Sequence, residues 1–143
     1  MRIYAVIDTN VIVSSLLSRK IDTGTVLIRK HILDGTIAPV FNEEIFQEYE
    51  DVLHRAKFNL PADAVDTILD AIAELGVTMG RTPTTEDFPD PKDIVFYEVA
   101  LSKEDSYLVT GNTKHFPKNP IVVTPAELLT IIEQQNSSSP EDI

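Results

Sequence analysis

The feature that most constrains this chain is a short apolar run that ends abruptly on a carboxylate. Ile3-Tyr4-Ala5-Val6-Ile7 is continuous in apolar residues, Asp8 stops it, and a helical pattern through Val11, Ile12, Ser15 and Leu16 begins almost at once. A run of that length without alternation reads as a strand buried on both faces. Such strands belong to parallel sheets, whose ligands bind in the crevice beyond the C-terminal strand ends. Asp8 falls at that edge. A lone Asp there has a plainer use, as N-cap of the helix that follows. Its meaning depends on which other carboxylates reach the same edge.

The rest of the chain repeats the alternation. A second helix starts after Asp22-Thr23 and stops at Asp34-Gly35, with Gly suited to the left-handed position after a helix. Thr36 to Val40 reads as a short strand, and Pro39 assigns it an edge or terminal position. Asn42 caps a strong helix, with Phe41 and Phe46 as a hydrophobic staple and an apolar stripe through Ile45, Tyr49, Val52 and Leu53. Glu48 and Glu50 lie on opposite borders of that stripe, and periodicity does not choose between them. Ala62 to Leu75 is a helix opened by Pro61, and Val77 to Met79 is a brief edge strand. Asp90-Pro91-Lys92-Asp93 matches a helix start, with Asp90 as cap, before the apolar run from Ile94 to Leu101. Ser106 to Thr110 and Pro120 to Val123 are strands, and Thr124 with Glu127 forms a capping box for a helix to about Ile132. The order β-α-α-β-α-α-β-α-β-β-α predicts a mostly parallel sheet covered on both faces. One domain over residues 1–133 is expected, with 134–143 as a fraying, disordered polar tail.

Composition bounds the function. The chain has 143 residues, no Cys and a net charge of −11. Without Cys there are no disulfides, thiolate nucleophiles or zinc–cysteine sites. No apolar run reaches the ~20 residues of a membrane span, and no signal segment is recognisable, so a cytoplasmic protein with no membrane association is expected. Residues 1–60 hold 7 Lys/Arg and 8 Asp/Glu, while 61–143 hold 5 and 15. The acidic excess therefore belongs to the C-terminal part and leaves room for a local basic surface. His31, His54 and His115 show no metal-ligand spacing, and no Gly-x-Ser-x-Gly elbow exists.

Asp8, Asp93 and the Thr110-Gly111-Asn112 turn all fall at C-terminal strand ends or at helix starts beyond them, and the helix carrying Glu48 can cover the same edge. Three or four carboxylates brought together repel unless they are protonated or bind a cation. Oxygen-only donors suit Mg²⁺ or Mn²⁺. Asp8-Thr9-Asn10 after the first strand, Glu48 in Phe46-Gln47-Glu48-Tyr49-Glu50-Asp51-Val52-Leu53, Asp90-Pro91-Lys92-Asp93 and Val109-Thr110-Gly111-Asn112 together resemble the PIN-domain family. The likeness runs from residue 2 to about 132 and is greatest to the branch of toxin components of toxin–antitoxin systems.

The resemblance implies a PIN-like three-layer α/β/α sandwich with a five-stranded, mostly parallel sheet in the order 3-2-1-4-5. It also implies a Mg²⁺- or Mn²⁺-dependent endoribonuclease whose catalytic and metal-binding acids are Asp8, Glu48 and Asp93. Thr9, Asn10, Asp90, Thr110 and Asn112 are the supporting residues. Water activated by the ion would cleave RNA to a 5′-phosphate and a 3′-hydroxyl. Arg19, Lys20 and Lys114 are candidates to hold the RNA backbone, and an antitoxin protein and a homodimer are expected partners. Where many members carry a further acid after Thr-Gly, this chain has Asn112, which favours one metal over two. Two other readings stand beside this one. A non-catalytic PIN-like binding module would account for Asn112 and the overall acidity. A haloacid-dehalogenase-like phosphatase shares an Asp after the first strand, but needs a second Asp where this chain has Asn10.

Overall fold

The structure, a computed structural model, describes residues 2–137. Its strands are β1 (Ile3–Ile7), β2 (Ile37–Phe41), β3 (Val77–Thr78), β4 (Ser106–Val109) and β5 (Val122–Val123). Its helices are α1 (Thr9–Leu17), α2 (Gly24–Leu33), α3 (Glu43–Leu53), α4 (Ala62–Leu75), α5 (Ile94–Ser102) and α6 (Pro125–Ser137). The strands form one parallel sheet in the order β3-β2-β1-β4-β5. This is the α/β class expected from the alternation of elements and the strand order that the resemblance implies. β1 is central and buried, pairing Ile7 with Val109 on one side and Ala5 with Pro39 on the other. α5 packs along β4, β1 and β2, while α2 lies on β2 and packs against α1, α4 and α6. The edge strands β3 and β5 are two residues each, which leaves little unpaired ladder at either edge.

Local chemistry sets most of the boundaries. The Asn42 side chain accepts from Ile45 N–H at 2.9 Å, and Phe41 and Phe46 meet with ring centroids 5.6 Å apart, so both cap and staple form. Thr124 and Glu127 close their capping box reciprocally at 2.9 and 3.1 Å. Gly35 takes φ +84°, the left-handed position after α2.

Pro39 departs from its expected place. It lies mid-strand in β2, and β2 is flanked on both sides. Its carbonyl points toward Gly76, where an added Cβ would come within 2.7 Å of it. A residue's N and C=O share one side of a strand, so the missing N–H also faces Gly76, before β3 begins at Val77. No donor is lost from the pairing with β1. α6 also runs further than expected, to Ser137, whose hydroxyl donates to Glu133 O at 3.0 Å. The remainder of the tail expected to fray, 138–143, lies outside the described residues.

Candidate active site

The site grows from the register of β1 and β4. Pairing Ile7 with Val109 brings Asp8 and Thr110 side by side at the C-terminal edge of the sheet. The Thr110 hydroxyl, fully buried, donates to Asp8 Oδ2 at 2.7 Å. Asp8 occupies the N-cap position of α1, yet its side chain makes no capping hydrogen bond. Its firmest partner is Thr110, while the Thr9 and Asn10 N–H groups at the start of α1 also favour its charge, so Asp8 serves the crevice and the helix start together. Burial raises the Asp8 pKa, opposed chiefly by the Thr110 hydroxyl and then by the Asn10 N–H, the charge of His115 and the Thr9 N–H.

Glu48 arrives from α3. The Thr9 hydroxyl donates to Glu48 Oε2 in a short hydrogen bond, whereas Glu50 is exposed. The next residue, Tyr49, is fully buried, and its hydroxyl donates to Ile7 O at 2.5 Å. Burial, then the charges of Asp8 and Glu48, push the Tyr49 pKa well up, so this hydroxyl stays a donor. Sequence periodicity placed Tyr49 on the apolar stripe and gave no sign of this bond. Glu44, one turn before Glu48, is bound by Arg81 at 3.0 and 3.1 Å and takes no part in the site.

Asp93 closes a 3-10 turn, Pro91–Asp93, just before α5. Asp90 opens that turn by accepting from Lys92 N–H at 2.9 Å, the cap expected of it. Burial raises the Asp93 pKa to about 6, helped by the charges of Asp8, Asp90 and Glu48 and opposed by His115. Asp8 and Glu48 therefore both stand within electrostatic reach of Asp93. Asn112 is exposed; its N–H donates to Thr110 Oγ1 at 3.0 Å, and its side-chain amide donates to His115 Nε2 at 2.9 Å. His115 Nδ1 lies 3.6 Å from Asp93 Oδ2, so the ring stands between Asn112 and Asp93. Spacing along the chain gave His115 no role, since its partners are 3 and 22 residues away. Asn10 is exposed and contributes its backbone N–H. Arg19 and Lys20 are exposed beyond the C-terminal end of α1, whose N-terminal end is at Asp8.

A second network carries the connection that leads to Asp93. Glu98, buried in mid α5, accepts from Arg81 at 2.8 Å and from Thr84 N–H at 2.8 Å. Arg81 thereby ties α3, through Glu44, to α5. Further on, the Tyr97 hydroxyl donates to Glu86 at 2.7 Å, and Phe88 packs edge-on against Tyr97 and Phe116. The sequence did carry a signal for Glu98: it is the one charged residue in Ile94-Val95-Phe96-Tyr97-Glu98-Val99-Ala100-Leu101. A charge inside an apolar helix asks for a buried partner.

The profile of the PIN domain family matches residues 4–114. The chain belongs to the PIN-domain family. No curated protein and no solved structure gives a significant match. Membership supports nuclease activity in general, and PIN domains generally use divalent metal ions. The donor chemistry here fits such an ion: Asp8, Glu48 and Asp93 offer hard oxygens, and Asp93 bears the effect of like-charged neighbours. The side chains do not form a closed cage. Among the described residues, no three His, Asp or Glu side chains are grouped so as to hold an ion. Nor, among those residues, is any helix long and apolar enough to cross a membrane.

Proposed function

We propose that this PIN domain is a Mg²⁺- or Mn²⁺-dependent endoribonuclease, acting as the toxin component of a toxin–antitoxin system. The observation that carries the nuclease reading is the concentration of carboxylates at the switch-point edge, where Asp93 is driven up to about 6 by burial and by Asp8, Asp90 and Glu48. Asp8, Glu48 and Asp93 would hold the ion. When bound, the ion supplies positive charge to the scissile phosphate and acidifies the attacking water. The Thr110 and Thr9 hydroxyls each fix one oxygen of Asp8 and Glu48 and so orient the carboxylates that would hold the ion. Tyr49 binds the carbonyl just before Asp8 and so fixes Glu48's helix against β1. Asp90 shapes the turn that presents Asp93, and Asn112 supports the opposite wall through Thr110 and His115. Lys114, Arg19 and Lys20 are candidates to hold the RNA backbone. The toxin role, an antitoxin partner, a homodimer, a cytoplasmic location and a single domain over 1–133 rest on the family resemblance and the sequence.

Calorimetric titration with Mn²⁺, paired with cleavage of a single-stranded RNA and identification of its new ends, tests this reading. Saturable binding and 5′-phosphate ends are expected. The open grouping of the acids and the exposed Asn112 favour the second reading, a non-catalytic binding module. A chain that binds neither Mn²⁺ nor cleaves RNA would establish that reading instead.

A further inference from the structure

The cations of this acidic chain are unevenly employed. Arg55 and Arg81 are in ion pairs, Lys57 and Lys103 lie over aromatic rings, and Arg2, Arg29 and Lys30 donate to backbone carbonyls. Among the described residues, the Arg19, Lys20, Lys92, Lys114 and Lys118 side chains have no such partner. Lys114 and Lys118 line one groove of about 610 Å³, with Phe116, Pro117 and Val122. Its one acid, Glu127, already accepts from Thr124 N–H in the capping box. The stretch from Ser106 to Ala126 holds no Asp or Glu at all.

The other side of the centre is the opposite in charge. The groove along α3, about 1000 Å³, is lined by Glu44, Glu48, Glu50 and Asp51. Its Arg55 is taken by Asp51 at 3.2 Å, which leaves Lys92 against the carboxylates. A phosphate there would be repelled by several charges lying within a Debye length of about 8 Å. The lysine groove, in contrast, connects to the centre through one turn. The 3-10 turn Thr113–His115 brings His115 to Asp93 and Lys114 into the groove.

Resting on the ribonuclease reading, we propose that the RNA strand is held to one side of the carboxylate centre, its phosphates lying along Lys114 and Lys118. Lys118 is thus a substrate-binding residue of the same standing as Lys114. Phe116 is buried against Phe88, so the groove offers no exposed ring for a base to stack on. The hold is therefore on the backbone and does not select sequence.

Fluorescence anisotropy with a labelled single-stranded oligouridylate, in EDTA so that the strand stays intact, reads this directly across a KCl series. Each lysine that neutralises a phosphate contributes a slope of about 0.7 in log affinity against log salt. Lys114→Gln and Lys118→Gln should each lower the wild-type slope by about 0.7. Both residues are exposed and unpaired, so thermal melts of the variants should match the wild type. A wild-type slope in the double variant, with a reduced slope in Arg19→Gln/Lys20→Gln, overturns the groove and leaves the ribonuclease reading intact. Wild-type protein that binds no RNA at any salt in EDTA overturns the groove, while the ribonuclease reading is judged separately by the Mn²⁺ titration and the cleavage assay.

Discussion

Asp8 and Glu48 are each held by a hydroxyl, Thr110 for one and Thr9 for the other, with Tyr49 joining their two elements. Asp93 receives no such bond; its near contact is His115 at 3.6 Å, and His115 is itself half-exposed and leaning on exposed Asn112. Asp8 sits where the central strand meets α1 and Glu48 in the middle of α3, whereas Asp93 and His115 sit on 3-10 turns at the ends of connections. One side of the site is thus fixed by the sheet, while the other can adjust. A centre that must admit a phosphate gains from that division: the hydrogen-bonded acids set the position, and the less constrained acid completes the contact.

The largest expected difference is between two carboxamides. Asp8→Asn should reduce RNA cleavage to background, and Mn²⁺ should no longer raise its melting temperature. Its fold should be as stable as the wild type or more so, because burial disfavours the Asp8 charge while an amide oxygen still accepts from Thr110. Asp93→Asn should keep a weakened Mn²⁺-induced rise. If the two variants lose metal stabilisation equally, the division into fixed and adjustable sides is wrong.

Thr110→Val tests the fixed side alone. Thr110 is fully buried and its hydroxyl serves a nearly buried carboxylate, so the variant should lose about 2 kcal/mol by urea denaturation. Mn²⁺ affinity should fall roughly 10–100-fold, as when a residue orienting a metal ligand is removed. Asn112→Ala should change affinity far less. Equal losses would place the constraint on both sides.

A smaller effect lies in pH. A carboxyl whose pKa is higher folded than unfolded favours folding when protonated. For Asp93 that contribution is whole below 3.8 and is lost as pH rises through about 6. In EDTA, wild-type stability should therefore decline over this window relative to Asp93→Asn, which lacks the titrating group. Parallel melting profiles for the two proteins between those values would show that Asp93 is not perturbed.

The fixed side was also the more legible one. Asp8 and Thr110 each follow an apolar run that reads as a strand, though their adjacency came from the strand order that the resemblance implies, and the Asn42 cap and Phe41 staple set where α3 begins. Glu48 over Glu50 needed the family resemblance, because both border the apolar stripe. The Tyr49 and Arg81 contacts span 42 and 17 to 37 residues, and no local pattern encodes a hydrogen bond over that distance. Glu98 alone announced itself, as a charge among apolar neighbours. Pro39 misled because propensity places proline at sheet edges without knowing which side of a strand its nitrogen faces.

Asn112→Asp probes the adjustable side with the smallest expected effect. At first sight a fourth carboxylate beside Asp8 should raise repulsion and be repaid by metal. The Asn112 side chain, however, turns to His115 at 2.9 Å and is exposed. An Asp there would pair first with the His115 ring, spending its charge one residue away from the centre. The Mg²⁺-induced rise in melting temperature should therefore increase only slightly over the wild type. Removing the ring should release the carboxylate: Asn112→Asp/His115→Ala should gain more from Mg²⁺ than either single variant. Melts of the four proteins with and without Mg²⁺ make a double-mutant cycle. A cycle that closes additively would mean that His115 does not restrain position 112, and that the adjustable side is looser than its contacts imply.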